Sequence, residues 1–161
     1  MHKELINIAA ESLQLEDIYL HSSILERSSD LQTNRNMPED LEQQDMMEIN
    51  AELLECKNSS DEKINILRAL VKFGARFVTG DKDNQTIYAT LEATFAAEYT
   101  VLDNLPEDTL EEFLNFNAVH DVWPFWREHT YHVANAANLP RPNIPLVAGQ
   151  LFQPLPITEE I

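Results

Sequence analysis

The stretch that decides the fold runs from INILRALVKFGARFVT (residues 64–79), through GDKDNQ (80–85), to TIYATLEATFAAEYTV (86–101). In the first part the odd positions Leu67, Ala69, Val71, Phe73, Ala75 and Phe77 are apolar, and the even positions include Arg68, Lys72 and Arg76. Those three bases also stand four apart, as on one face of a helix. The apolar set decides for a strand, because strict alternation smears round a helix but stays on one side of a strand. In the second part Ile87, Leu91, Phe95, Tyr99 and Val101 fall on one side, and Thr90, Glu92, Thr94 and Glu98 on the other. Gly80-Asp81-Lys82-Asp83-Asn84 has the composition of a turn. The two parts therefore predict a long antiparallel hairpin, with outward bases of one strand pairing outward acids of the other.

Upstream, Met46 to Lys57 alternates as well, with Met47, Ile49, Ala51 and Leu53 on one side and Glu48, Asn50 and Glu52 on the other. That predicts a third strand, half-buried. Ser28 to Gln44 is polar, holds Pro38 and reads as a long loop. Leu13 to Ser22 reads as a fourth strand whose apolar phase changes between Leu13/Leu15 and Ile18/Leu20; a bulge near Glu16-Asp17 reconciles the two. Residues 1–12 fit a short helix or a strand equally and form an N-terminal extension. Downstream of Pro106 the period changes. Acids crowd a first helical turn at Asp108, Glu111 and Glu112, and Leu110, Phe113, Leu114 and Asn117 follow helical spacing. Asp121 and Pro124 predict a break and a second helix through Ala137, ended by Asn138-Leu139-Pro140. The remainder is Pro-rich and extended, with residues 148–161 as a tail. Strands first and helices afterwards is an α+β order: a four-stranded antiparallel sheet with C-terminal helices on one face.

The chain has 161 residues, 28 acids, 11 Lys and Arg, and a formal charge of −17. Its length fits one domain over 1–161. A surface so acidic repels phosphate backbones and anionic lipid heads, so neither nucleic acid nor a membrane surface is expected as partner. Lys3 followed by Glu4, with no long apolar run, predicts neither a signal peptide nor membrane insertion. The single Cys56 excludes an intrachain disulfide framework and fits a reducing cytoplasm.

Chemistry is sparse. With three glycines in all there is no phosphate-cradling loop, and no G-x-S-x-G elbow exists. No catalytic residue and no cofactor is expected. His129 and His132, with His120 upstream, could ligate zinc from one helical face, but no metal motif of known spacing is complete. They read better as surface or interface histidines, and the rival reading is a small metal-binding domain or enzyme. Trp123-Pro124-Phe125-Trp126 is less ordinary: three large aromatics within four residues cannot all face one way, so some face the sheet and some another surface.

The segments VWPFWRE (122–128) and LPRPNIPLV (139–147), together with the order of parts, resemble the SecB family of protein-export chaperones over residues 13–147. The resemblance implies a SecB-like homotetramer built as a dimer of dimers, whose helices meet across the interface. It also implies ATP-independent holding of unfolded preproteins in apolar grooves and delivery to the SecA translocase motor. Asp17 and Glu92 fall where the family carries acids that contact SecA. The groove is expected between the Met46–Leu54 strand and the second helix, lined by Met46, Met47, Ile49, Leu53, Phe125 and Trp126. Methionine suits such surfaces because it repacks easily, and high net charge keeps an exposed groove soluble. Two other readings stay open: a SecB-like chaperone dedicated to a toxin–antitoxin or other specific partner, and an acidic oligomeric adaptor that does not hold unfolded chains.

Overall fold

The computed structural model describes residues 3–29 and 37–148. Helix α1 (Lys3–Ser12) runs directly into strand β1 (Leu13–Arg27). Strands β2 (Glu42–Lys57), β3 (Lys63–Thr79) and β4 (Thr86–Val101) follow, then α2 (Glu107–Phe113), a π-helical turn (Leu114–Ala118) and α3 (Val119–Ala136). The strands form one antiparallel sheet in the order β1-β4-β3-β2, with the helical layer on one face, as the sequence pattern predicts. Successive hairpins make β2-β3-β4, and β1 closes on the far side of β4. Both β1 and β2 are therefore edges.

The deciding hairpin is antiparallel, as expected, and its register runs from Ile66 opposite Thr100 to Phe77 opposite Ala89. Its inner row is fully buried: Val71, Phe73, Ala75, Leu91, Phe95 and Tyr99 are at most 3% exposed. Each such large side chain stabilises by about 1.5–3 kcal/mol relative to exposure. At the outer row Arg68 bonds Glu98 at 2.9 Å and Lys72 bonds Glu92 at 3.1 Å, which is the cross-strand pairing the charges predict. The turn needs Gly80, whose φ is 89°; a Cβ there would collide with the Asn84 carbonyl oxygen.

Strand β1 continues past Ser22 to Arg27 because it holds a second bulge. Its register against β4 slips between Leu15 and Asp17, as expected, and again between Leu20 and Ser22. The two slips put Leu13, Leu15, Ile18, Leu20 and Leu25 on the helix side. Strand β2 begins at Glu42, earlier than the sequence suggests, because Gln43 and Gln44 find side-chain partners on the return segment and β3. Residues 3–12 are helical, which resolves the ambiguity at that end; Ala9 is buried and Ser12 Oγ donates to the Ile8 carbonyl.

The predicted break at Asp121–Pro124 is absent. Pro124 lies inside α3, and the irregularity sits upstream as the π-helical turn. The burial pattern gives the reason. Phe113 and Ala118, five apart, both face the core, and from there buried positions recur at 122, 126, 130 and 134. An i→i+5 turn absorbs the extra residue and keeps one apolar face. Tyr99 hydroxyl donates to Asp121 at 2.8 Å, fixing α3 to β4, and both desolvation and that bond push the phenol well above its usual range. Asn138 ends α3 in a left-handed conformation, φ 52°. Residues 141–145 belong to no helix or strand and Ala148 is buried; the rest of the expected Pro-rich tail, 149–161, lies outside the described residues. Among the described residues no helix is long and apolar enough to cross a membrane.

Candidate functional site

The six residues expected to line one groove occupy four places. Met47, Ile49 and Leu53 stand on the helix side of β2, opposite Phe73, Val71 and Leu67. Met46 is on the other face, lying across Gly74, where an added Cβ would stand 2.8 Å from Met46 Cγ. Neighbouring residues of a strand point to opposite faces, so the two methionines cannot share a groove. Trp126 is core: its ring stacks on Phe73 at 5.6 Å, and Trp123 meets the same ring edge-on at 5.2 Å. Phe125, a helical step away, leans on Phe95 at 6.4 Å toward the β1 side and is half exposed.

Helix α3 thus has two flanks. On the β2 flank the return segment after Leu139 is laid beside it. Trp123 Nε1 donates to the Pro145 carbonyl at 2.9 Å, and Arg127 Nε and Tyr131 hydroxyl both donate to the Ile144 carbonyl at 3.1 Å. Gln43 of β2 and Asn143 exchange two bonds, side chain to backbone in each direction. Met47 and Ile49 are half-buried, whereas Ala51 is exposed and Leu53 is 68% exposed.

The β1 flank is barer. Leu15, Leu20, Leu25 and Phe125 are each 42–46% exposed on the helix side. Two polar ties span it: Ser23 Oγ lies 2.9 Å from His129 Nε2, and Arg27 Nε donates to the Ala137 carbonyl at 3.1 Å. His129 also meets Phe95 edge-on at 5.9 Å. Burial first, and then the neighbouring His132, hold its pKa below the ordinary imidazole value. Sequence reasoning missed Leu25 because it ended β1 at Ser22; the signal was there in the apolar pair Ile24-Leu25 after a second phase change.

Asp17 and Glu92 share the outer face of the sheet. Asp17 lies opposite Glu98, and its carboxylate accepts from the Ile18 amide at 2.9 Å. Glu92, six residues and about 20 Å along β4, is half-buried and ion-paired to Lys72. Between them Glu98 accepts from both Arg68 Nε and Tyr19 hydroxyl at 2.9 Å, and that bond raises the Tyr19 pKa. Among the described residues no three His, Cys, Asp or Glu side chains come together to hold a metal, and Cys56 is exposed near the end of β2.

Neither known family models nor curated proteins gave a match to this chain. Among solved structures it is similar to a SecB-like chaperone of Mycobacterium tuberculosis, Rv1957, in complex with a ChAD peptide from the Rv1956 HigA1 antitoxin. The TM-score is 0.55 at 17% identity, over 90% of this chain and 98% of that one. A protein of unknown function from Streptococcus agalactiae is also similar, with a TM-score of 0.43 at 12% identity over 83% and 97% of the two chains. Strand order, helical layer and nearly end-to-end coverage lead to one conclusion: the chain has the fold of a SecB-like chaperone.

Proposed function

We propose that this protein is a chaperone that holds extended segments of unfolded polypeptide on the β2 flank of α3, without nucleotide, and assembles with copies of itself through the β1 flank. The observation that carries the reading is the pair of apolar flanks beside α3 in a SecB-like fold. On the β2 flank Met47, Ile49, Ala51 and Leu53 form a row at strand spacing, roughly 7 Å between neighbours, open at the Leu53 end. A client laid along it gains many small apolar contacts, which suits unrelated sequences. On the β1 flank, four large half-exposed side chains beside a strand edge that pairs with no other strand among the described residues make a patch of the kind that marks a protein interface. A dimer of dimers, with α3 helices meeting between sheets, covers the β1 flank and leaves the β2 row to clients.

Aggregation of a denatured preprotein, followed by light scattering without ATP, tests the holding activity. Suppression that persists at raised salt, and weakens in Leu53→Ser, supports it. Absence of suppression by the intact protein overturns it. Suppression that collapses with salt favours the acidic adaptor instead.

For the partner, two roles follow from the same fold. Export would deliver clients to a SecA-like motor through Asp17 and Glu92. A dedicated role, serving one specific partner, is favoured by the antitoxin peptide carried by Rv1957, and by Glu92 being already matched by Lys72. Loss of motor binding in Asp17→Asn with Glu92→Gln identifies the export role. Tight retention of one co-expressed partner, against weak binding of unrelated unfolded chains, identifies the dedicated one.

A further inference from the structure

Two arginines stand on one tyrosine at the closed end of the β2 flank. The guanidinium carbons of Arg127 and Arg141 are each 5.1 Å from the centroid of the Tyr131 ring. Arg127 uses Nε on the Ile144 carbonyl, and Tyr131 hydroxyl donates to the same oxygen, so ring and helix-borne guanidinium are fixed in place. The terminal nitrogens of Arg127 and every donor of Arg141 remain without a hydrogen-bond acceptor among the described residues. Neither guanidinium has a carboxylate in ion-pair range there. Lys57, Lys63, Arg68 and Lys72 have acidic partners, and Arg27 and Arg76 donate to neutral oxygen acceptors. Two like charges that share one ring lie within about 10 Å of each other and repel; the ring offsets part of that repulsion, and an incoming anion would offset more.

The geometry points to a carboxylate clamp: we propose that Arg127 and Arg141, held on Tyr131, receive an acidic residue of an extended client lying on the β2 flank. This deepens the client-holding reading and rests on it. The place fits. Asn143, next to the shared Ile144 carbonyl, is bonded to Gln43, and Met47 begins the apolar row four residues, or about 13 Å, further along β2. The chemistry fits as well. Guanidinium presents paired donors that match carboxylate oxygens, and a fixed donor loses less freedom on binding. The net charge of −17 weakens the binding of free anions without abolishing it, and apolar contacts that bring in a client's carboxylate raise its occupancy of the clamp.

Long-range charge and the clamp predict opposite orders, which makes the test sharp. Short acetylated and amidated peptides share one apolar core and end in Glu-Glu, Gln-Gln or Lys-Lys; a fourth ends in Gln-Gln with a free C-terminal carboxylate. Binding is read by fluorescence anisotropy at physiological salt. Net charge alone orders them Lys, Gln, Glu from tight to weak. The clamp places Glu about tenfold tighter than amidated Gln, and Arg141→Gln removes the advantage while the Gln peptide binds as before. Equal binding of Glu and Gln peptides, or Lys tightest, overturns the proposal. A gain confined to the free C-terminus also overturns it, since the clamp would then take chain ends. The clamp is separately read from the Nε–Hε resonances of Arg127 and Arg141 during titration with N-acetylglutamate amide. Coupled shifts that vanish in Arg141→Gln support the clamp even if no peptide binds and the holding reading fails; no shift overturns it.

Discussion

Leu53 and Leu67 face each other across β2 and β3 on the same side of the sheet, yet one is 68% exposed and the other 2%. That contrast allows client binding and folding to be separated within one cross-strand pair. Burying a whole leucine side chain stabilises by about 1.5–3 kcal/mol; two thirds of that, about 1–2 kcal/mol, is still available on Leu53 in the folded protein. If a client covers it, Leu53→Ser weakens binding about five- to thirtyfold. The same substitution removes little that folding had buried, so stability should move by less than about 1 kcal/mol. Leu67→Ala removes a filled core position and should cost about 2–5 kcal/mol, leaving the affinity of the folded fraction unchanged. Urea unfolding gives the stabilities, and anisotropy of a labelled unfolded peptide gives the affinities. The reasoning is refuted if Leu53→Ser leaves the affinity unchanged, or destabilises as much as Leu67→Ala.

Phe125→Ser should shift the assembly toward smaller species in multi-angle light scattering while costing less than the about 3–5 kcal/mol of a core aromatic, because half of the ring is bare; unchanged mass would place the self-contact elsewhere. Gly74→Ala forces a Cβ against Met46 and should lose about 1 kcal/mol, whereas Met46→Ala in the same chain should recover most of it; equal losses in the single and double variants would exclude that contact as the cause. His129 has a lowered pKa in the folded chain, so the unfolded chain takes the proton first. Its contribution is complete above the ordinary value near 6.5 and declines as pH falls from there through the folded pKa. A stability profile of His129→Gln that keeps the same acid-side slope would assign the loss to other groups.

The hairpin of β3 and β4 was legible because period-two alternation over sixteen residues has one physical solution. The inner row, the outward charge pairs and the first β1 bulge were likewise open to reading. The site was less so, for local reasons. Met46 and Met47 were read as a pair from composition, although alternation alone puts them on opposite faces. Phe125 and Trp126 stand side by side in the chain, but a 100° step separates them, so Trp126 stacks on Phe73 while Phe125 leans on Phe95. The π-helical turn has no signature in residue type; it is visible only as the five-residue spacing of Phe113 and Ala118 against buried neighbours. Arg127 and Tyr131 are neighbours one helical turn apart on α3, but Arg141 lies beyond the helix, and only the path of the return segment brings it beside the other two.

The two flanks follow from widths. Four strands at about 4.8 Å span roughly 19 Å, and a helix with its side chains covers about 10–12 Å. One helix therefore covers two strands, and α3 lies on the middle pair, over Phe73 of β3 and Phe95 of β4. A self-sufficient monomer would make the helix side of both edge strands polar. Here those positions hold Leu15, Leu20 and Leu25 on β1 and Met47, Ile49 and Leu53 on β2, so each edge awaits cover from outside α3. The cover differs. The return segment narrows the β2 flank to a row with one open end, suited to a chain that comes and goes, while the β1 flank is broad, beside the outer strand of the sheet, and suited to a lasting contact between copies. Leu53 and Phe125 then belong to separate surfaces on opposite sides of α3. Their effects on client affinity and on assembly should add without coupling in the double variant, within about 0.5 kcal/mol. Strong coupling would mean that clients and copies compete for one surface, and that the division of labour between the flanks is wrong.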